Sequence, residues 1–314
     1  MKLEETIQME YADLTKADQQ IITNSKNVET ILSIYKKYSP EMIQYEARAI
    51  KTIFDEKINQ ELKKYTKEDI SAASLHFFSA EEKFSANQHK LIGIFLTELI
   101  QMHYEKMQSS EKYVLFTSDK TNCVSFLGFE LNGPHIRVIG NCGSLTCCNM
   151  KKGLVEVTGT VLSEAGAYMQ GGTLVIKGDA SYYLGHQMEG GHILVEGNTY
   201  GSIGKDMKNG SILVNGSNDN FVGTEMKGGE ITIMKDVESC GMELAGGKIT
   251  IFGNVTIRTG VFMKGGEIIV EGNCYGDTGL LMRGGKITVK GICEDYKRAT
   301  GGEIYQNEKR IFPE

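Results

Sequence analysis

Seven cysteines and six histidines are the residues best equipped for covalent, redox or metal chemistry in this chain. A thiol becomes a nucleophile when a cation or base lowers its pKa, and a metal needs several thiolate, imidazole or carboxylate ligands converging on one point. The adjacent pair Cys147 and Cys148 is the sharpest candidate, with Cys142 five residues before it. Cys-x4-Cys-Cys is no established ligand spacing, so structural burial is the simpler expectation, with Cys148 pointing outward beside an inward Cys147. His76, His89 and His103 stand without a nearby acid or cysteine at metal-ligand spacing, and His186 has Gln187, Glu189, Lys205 and Asp206 as its neighbours. Gly197-x3-Gly201-x2-Gly204, repeated as Gly272-x3-Gly276-x2-Gly279, has the look of a phosphate loop. A phosphate cradle needs a helix N-terminus after it, and here a strand pattern follows, so turn chemistry explains these glycines.

What positions these residues is a repeat. Met169-Gln-Gly-Gly172-Thr-Leu-Val-Ile176-Lys-Gly178 recurs as Met188-Glu-Gly-Gly191-His-Ile-Leu-Val195-Glu-Gly197 and as Met282-Arg-Gly-Gly285-Lys-Ile-Thr-Val289-Lys-Gly291. The methionine position returns at Met150, Met169, Met188, Met207, Met226, Leu244, Met263 and Met282, in steps of nineteen with one of eighteen, and extends to Leu131 and Ala299. That makes ten units. Self-similarity at this period marks a solenoid whose units bury their apolar faces by stacking on one another.

Each unit carries a β-branched pair with one residue between, as in Ile193 and Val195 or Ile287 and Val289, which is the two-residue period of a half-buried strand. Three glycine columns, represented by Gly172, Gly178 and Gly166, imply three bends per coil and so a triangular coil. In this register Cys123, Cys142 and Cys274 share one inward column. Coils about 4.8 Å apart put Cys274 about 34 Å from Cys142, which excludes one metal shared by all three. His135 and His192 share an outward column about 14 Å apart. Cys240 and Cys293 fall in shortened units and receive no role. Lys151, Glu189, Lys208, Lys227, Lys264 and Arg283 form a charged ridge, read as a solvated edge or a docking rim for an acidic partner.

Residues 1–110 read differently. Of 37 glycines only Gly93 lies there. A first helix is expected over 13–38, a second after Ser39-Pro40-Glu41 with a stripe of Ile43, Ala47, Ile50, Phe54, Ile58, Leu62 and Tyr65, and further starts at Thr66 with Asp69 and at Ser79 with Glu82. The last helix carries Phe84, Leu91, Ile92, Phe95, Leu99 and Met102. The fold class is therefore mainly β with an N-terminal α domain. A helical bundle over 1–110 precedes a right-handed parallel β-helix over 111–314 of about ten coils of roughly 19 residues, regular over about 131–302. Segments 113–116 and 124–127 should start the coil. Because an open coil end exposes apolar interior and strand edges, the helices should cover the first coil and residues 304–313 the last.

Net charge is −6 and neither part is basic, which argues against nucleic-acid binding. No apolar run reaches the roughly 18 residues of a membrane span. The N-terminus lacks a signal-peptide core, and an odd number of cysteines without framework spacing points to the cytoplasm.

The repeat Gly-x2-Met-x-Gly-Gly-x-Ile-x-Val-x-Gly, over about residues 120–302, resembles the GXGXG β-helix domain found in the glutamate synthase large subunit and in formylmethanofuran dehydrogenase. In that family the β-helix is a scaffold packed against domains or subunits that hold flavin, iron–sulfur, molybdopterin or glutaminase chemistry. This chain has Lys2 where the glutaminase has its N-terminal cysteine, no cysteine cluster of iron–sulfur spacing, and no counterpart in the family for its helices. The resemblance implies a non-catalytic scaffold or accessory subunit, without a cofactor or metal of its own, that docks protein partners or its own copies, as part of an oxidoreductase or glutamine-dependent amidotransferase complex. The alternative is a stand-alone enzyme with Cys147, Cys148 and His103 around a cleft between the helices and the first coils.

Overall fold

The computed structural model describes residues 26–79, 84–107, 112–117 and 123–313. Four helices, α1 (Lys26–Met42), α2 (Ala47–Glu61), α3 (Lys67–Ser79) and α4 (Ala86–Met107), precede a β-solenoid of parallel strands. One strand of each coil joins a twelve-stranded sheet: β1 (Lys112–Phe116), β2 (Asn132–Ile139), β3 (Lys152–Val157), β4 (Thr173–Ile176), β5 (His192–Val195), β6 (Ser211–Val214), β8 (Glu230–Ile233), β10 (Lys248–Ile251), β12 (Glu267–Val270), β14 (Lys286–Val289), β16 (Glu303–Gln306) and β17 (Lys309–Phe312). A second sheet stacks β7 (Asn218–Val222), β9 (Val237–Cys240), β11 (Val255–Thr259), β13 (Cys274–Thr278) and β15 (Cys293–Asp295). Single bridges from Val124 through Cys142, Val161, Ala180 and Thr199 to Asn218 carry its first column back toward the helices.

The expected register holds over the main sheet. Ile193 pairs with Leu174 on one side and Ile212 on the other, and Ile287 with Ile268 and Ile304. These residues and the methionine column are fully or almost fully buried, each contributing about 1.5–3 kcal/mol of transfer free energy. Two glycine positions show why the repeat tolerates nothing larger. A Cβ on Gly166, at φ +67, would lie 2.4 Å from the δ carbon of Ile193 in the next coil. One on Gly191, at φ +89, would lie 2.7 Å from the carbonyl oxygen of Gly172. The column of Gly178 differs: its φ is ordinary, and a Cβ there would lie 2.7 Å from the Gly159 carbonyl oxygen, so glycine serves close stacking at that corner. Beside it runs a ladder of side-chain caps, in which Asp179, Asn198, Asp236, Asn254 and Asn273 each accept a backbone N–H from the following coil at 2.7–3.1 Å.

The helices depart from expectation at two starts. Ser39 and Pro40 do not open a helix; α1 runs through them to Met42. Proline's fixed φ fits a helix, and a missing N–H in the last turn removes one bond without breaking the segment. Glu46 then occupies the N-cap of α2, and Ile43, left in the turn, is 44% exposed instead of core. Ser79 ends α3, while Glu82 lies outside the described residues, as does 13–25 of the expected first helix. The Thr66 start is as expected: the Asp69 amide donates to the Thr66 hydroxyl and the Thr66 amide to the Asp69 carboxylate. The start of α4 uses Ser85 and Gln88 in the same reciprocal way.

The helices close the first coil. On the outer edge of β1, Ser71 of α3 donates to the Val114 carbonyl at 2.6 Å and the Phe116 amide donates to Ser74 at 3.1 Å. From α4, Thr97 accepts the Gly128 amide at 2.9 Å, and Gln101 accepts from the Asn132 amide while donating to its carbonyl. Helical residues such as Phe95 and Leu99 belong to one hydrophobic cluster with Leu131, Ile136 and the coil interior beyond. At the other end β17 folds back antiparallel on β16 through Asn307 and Glu308, both at positive φ. Ile311 and Phe312 pack against the core there.

Candidate functional site

Cys147 stands where other coils have glycine, at φ +59, and is completely buried. Burial, with Cys142 and Cys148 close by, holds its thiol well above the ordinary range. Cys148 does not point outward. It is 4% exposed, and the Asn149 amide donates to its sulfur at 3.3 Å. Burial first, and then the Glu164 charge, push its pKa up to about 12. Neither thiol has the cationic, accessible setting that makes a nucleophile.

His103, on α4, faces Tyr113 of β1, with Nδ1 2.9 Å from the phenol oxygen and its ring against Tyr65. His103 thus meets β1 and the α2–α3 connection, whereas Cys147 meets Leu127, Gly128 and Cys142.

The other cysteines serve the interior. Cys142 and Cys274 occupy the inward column as expected, but in the first coil that place is taken by Val124, one residue after Cys123, since the chain enters the coil one residue short. Cys293 pairs with Cys274 in the same column, and Cys240 faces inward one column along, between Val222 and Thr259. Burial raises the Cys274 thiol to about 12. Asn218, also in the interior, is satisfied by its own coil and the previous one: its amide donates to Gly201 and Thr199, and its oxygen accepts the Asn220 amide.

Most charges on the coil surface are neutralised between neighbouring coils. On the ridge, Lys208 pairs with Glu189, Lys227 with Asp206 and Lys264 with Glu243, at 2.7–2.9 Å. His135 and Lys112 share Glu156, and His192 bonds to Ser211. No group of three or more His, Cys, Asp or Glu side chains is placed to hold a metal ion among the described residues. None of the described helices is long and apolar enough to cross a membrane.

One stretch of the coil exposes four tyrosines. Tyr168, Tyr182, Tyr183 and Tyr200 come from three successive coils and are 38%, 54%, 45% and 40% exposed. His186 lies between two of them, its ring centroid 5.7 Å from Tyr168 and 6.0 Å from Tyr183, both edge-on. Tyr182 lies along the next coil, where a Cβ on Gly201 would meet its ring at 2.2 Å, so Gly201 at φ +70 leaves the room the ring occupies. The Tyr200 hydroxyl is 3.4 Å from Asp179, whose charge keeps its proton on more tightly. Reasoning from the repeat columns passes over these tyrosines, which fall in the turns between them. The signal that could have found them was their number within three units, since solvated turns rarely hold four aromatic rings.

Set against models of known protein families and against curated proteins, the chain matches none.

Proposed function

We propose that this chain is a non-catalytic scaffold or accessory subunit, a glutamate-synthase-like β-helix that docks partner proteins or further copies of itself within an oxidoreductase or amidotransferase complex. The observation that carries the reading is the tyrosine surface on a coil whose exposed charges are mostly paired with one another. Tyrosine offers large, rigid contact area with a polar tip, and exposed patches of it mark docking surfaces. The buried, protonated thiols of Cys147 and Cys148 favour this reading over the stand-alone enzyme. Seven free cysteines support a cytoplasmic setting.

Purification from native extract at low ionic strength, followed by mass measurement of the intact assembly, tests the reading. A stoichiometric partner or a defined homo-oligomer is the expected result. A monomer that carries no partner across several extraction conditions overturns it.

A further inference from the structure

The tyrosine surface also carries an electrostatic signature that specifies what it takes. Three carboxylates belong to these coils: Asp179 and Asp219 both act on Tyr200, and the Glu164 amide donates to the Tyr182 carbonyl at 2.8 Å. Asp179 caps Asn198 and Asp219 accepts the Gly201 amide, so both are fixed in place by backbone. None of the three has a lysine or arginine within 4 Å among the described residues, unlike the paired acids of the ridge. Of the lysines in these coils, Lys205 is turned to Glu225 at 3.9 Å and Lys177 pairs with Glu196. The surface therefore combines several aromatic faces with about three unneutralised negative charges.

Resting on the scaffold reading, we infer that this surface binds an extended, arginine-rich cationic segment of a partner polypeptide. A guanidinium is planar, weakly hydrated and always charged. It stacks on a tyrosine face and still presents N–H groups in its own plane to carboxylates at the rim. Side chains on one face of an extended chain stand about 6.6 Å apart and the three coils together span about 9.6 Å, so two successive arginines, with flexible stems to take up the mismatch, reach tyrosines of different coils. A neutral glycan would use the same rings and could donate hydroxyls to the carboxylates but would leave their charge unneutralised, and an acidic partner would be repelled by it.

The test measures fluorescence anisotropy of labelled twelve-residue peptides against the full chain: alternating Arg-Gly, alternating Glu-Gly, and Arg-Gly in competition with a soluble cello-oligosaccharide. The expected result is saturable Arg-Gly binding that weakens with salt, no Glu-Gly binding and no displacement by the sugar. The triple variant Tyr182→Ala, Tyr183→Ala, Tyr200→Ala keeps the net charge and should bind at least tenfold more weakly. Glu164→Lys, at a side chain with no bonding partner among the described residues, should weaken binding as well, and it serves if the triple variant melts early. Equal binding by wild type and both variants overturns the inference, because it reduces the affinity to general attraction for an acidic protein. Preferential binding of the sugar or of Glu-Gly overturns it too. A native partner retained by the triple variant removes this site but leaves the scaffold reading standing, whereas the absence of any partner removes that reading by itself.

Discussion

The backbone of Gly93 in α4 lies directly on the first coil at Ser125: a Cβ built on Gly93 would sit 1.9 Å from the Ser125 carbonyl oxygen. The single glycine of the first 110 residues is thus the point where helix and coil touch backbone to backbone. Gly93→Ala should force α4 off the coil and lower stability by about 1–3 kcal/mol, the usual range for overpacking, despite alanine's better helix propensity. Urea unfolding of the variant checks this, and a variant as stable as wild type would mean that the contact is looser than described.

The same helix satisfies the coil's open edge through Thr97 and Gln101. Thr97→Val keeps the shape but leaves the Gly128 amide without its acceptor, at an expected loss of about 1–3 kcal/mol. Hydrogen exchange should locate the effect at Gly128 and its neighbours, ahead of the distal coils.

Within the solenoid, Met207 is fully buried and its terminal methyl abuts Gly229 of the next coil. Met207→Ala should cost about 2–5 kcal/mol. Because stability in a stacked array propagates through nearest neighbours, the loss should appear as earlier exchange in the coils on either side.

Glu98 is buried in α4 with the Lys51 ammonium 2.8 Å away, and burial outweighs that cation, raising its pKa above the ordinary carboxyl value. In the unfolded chain the carboxyl ionises near about 4.3. Just above that pH the folded state holds a proton that the unfolded state has lost. Stability from this group is complete below the unfolded value and falls as pH rises through the raised folded value. Glu98→Gln removes the titration, so the stability difference should shift toward the variant as pH rises above the ordinary carboxyl range. Denaturant titrations across that range test this, and a flat difference contradicts it.

Burial of Cys147 and Cys148 leaves almost no thiolate at neutral pH. Both should stay unmodified when the native protein is treated with a thiol reagent near neutral pH, and all seven cysteines should react after denaturation. Rapid native labelling of Cys148, located by peptide mapping, would instead restore the junction as a candidate reactive centre.

Much of the coil was legible in the residues because a stacked repeat writes each contact many times. Ile193, Met188 and Gly191 sit in columns whose neighbours vary the same theme, so periodicity alone gave their burial and register. Places where a unit occurs once were not legible in this way. The first coil loses a residue and puts Val124, not Cys123, into the column. The shortened units place Cys240 and Cys293 inside, where counting from the methionine gave them no position. Cys148 was read as outward from its neighbour's inward direction, yet its side chain is buried.

The amino-acid sequence by itself determined the repeat, the parallel stacking of the isoleucine and methionine columns, and the change from helix to coil near residue 110, because these follow from local periodicity and glycine placement. Tertiary structure alone decided that Gly93 is a contact point, that Ser71, Ser74, Thr97 and Gln101 close the coil's edge, and that Tyr168, Tyr182, Tyr183 and Tyr200 gather on one surface among Glu164, Asp179 and Asp219. The physical reason is that each of these depends on residues separated along the chain meeting in space, and no single unit's pattern records which side of the coil its neighbour leaves uncovered.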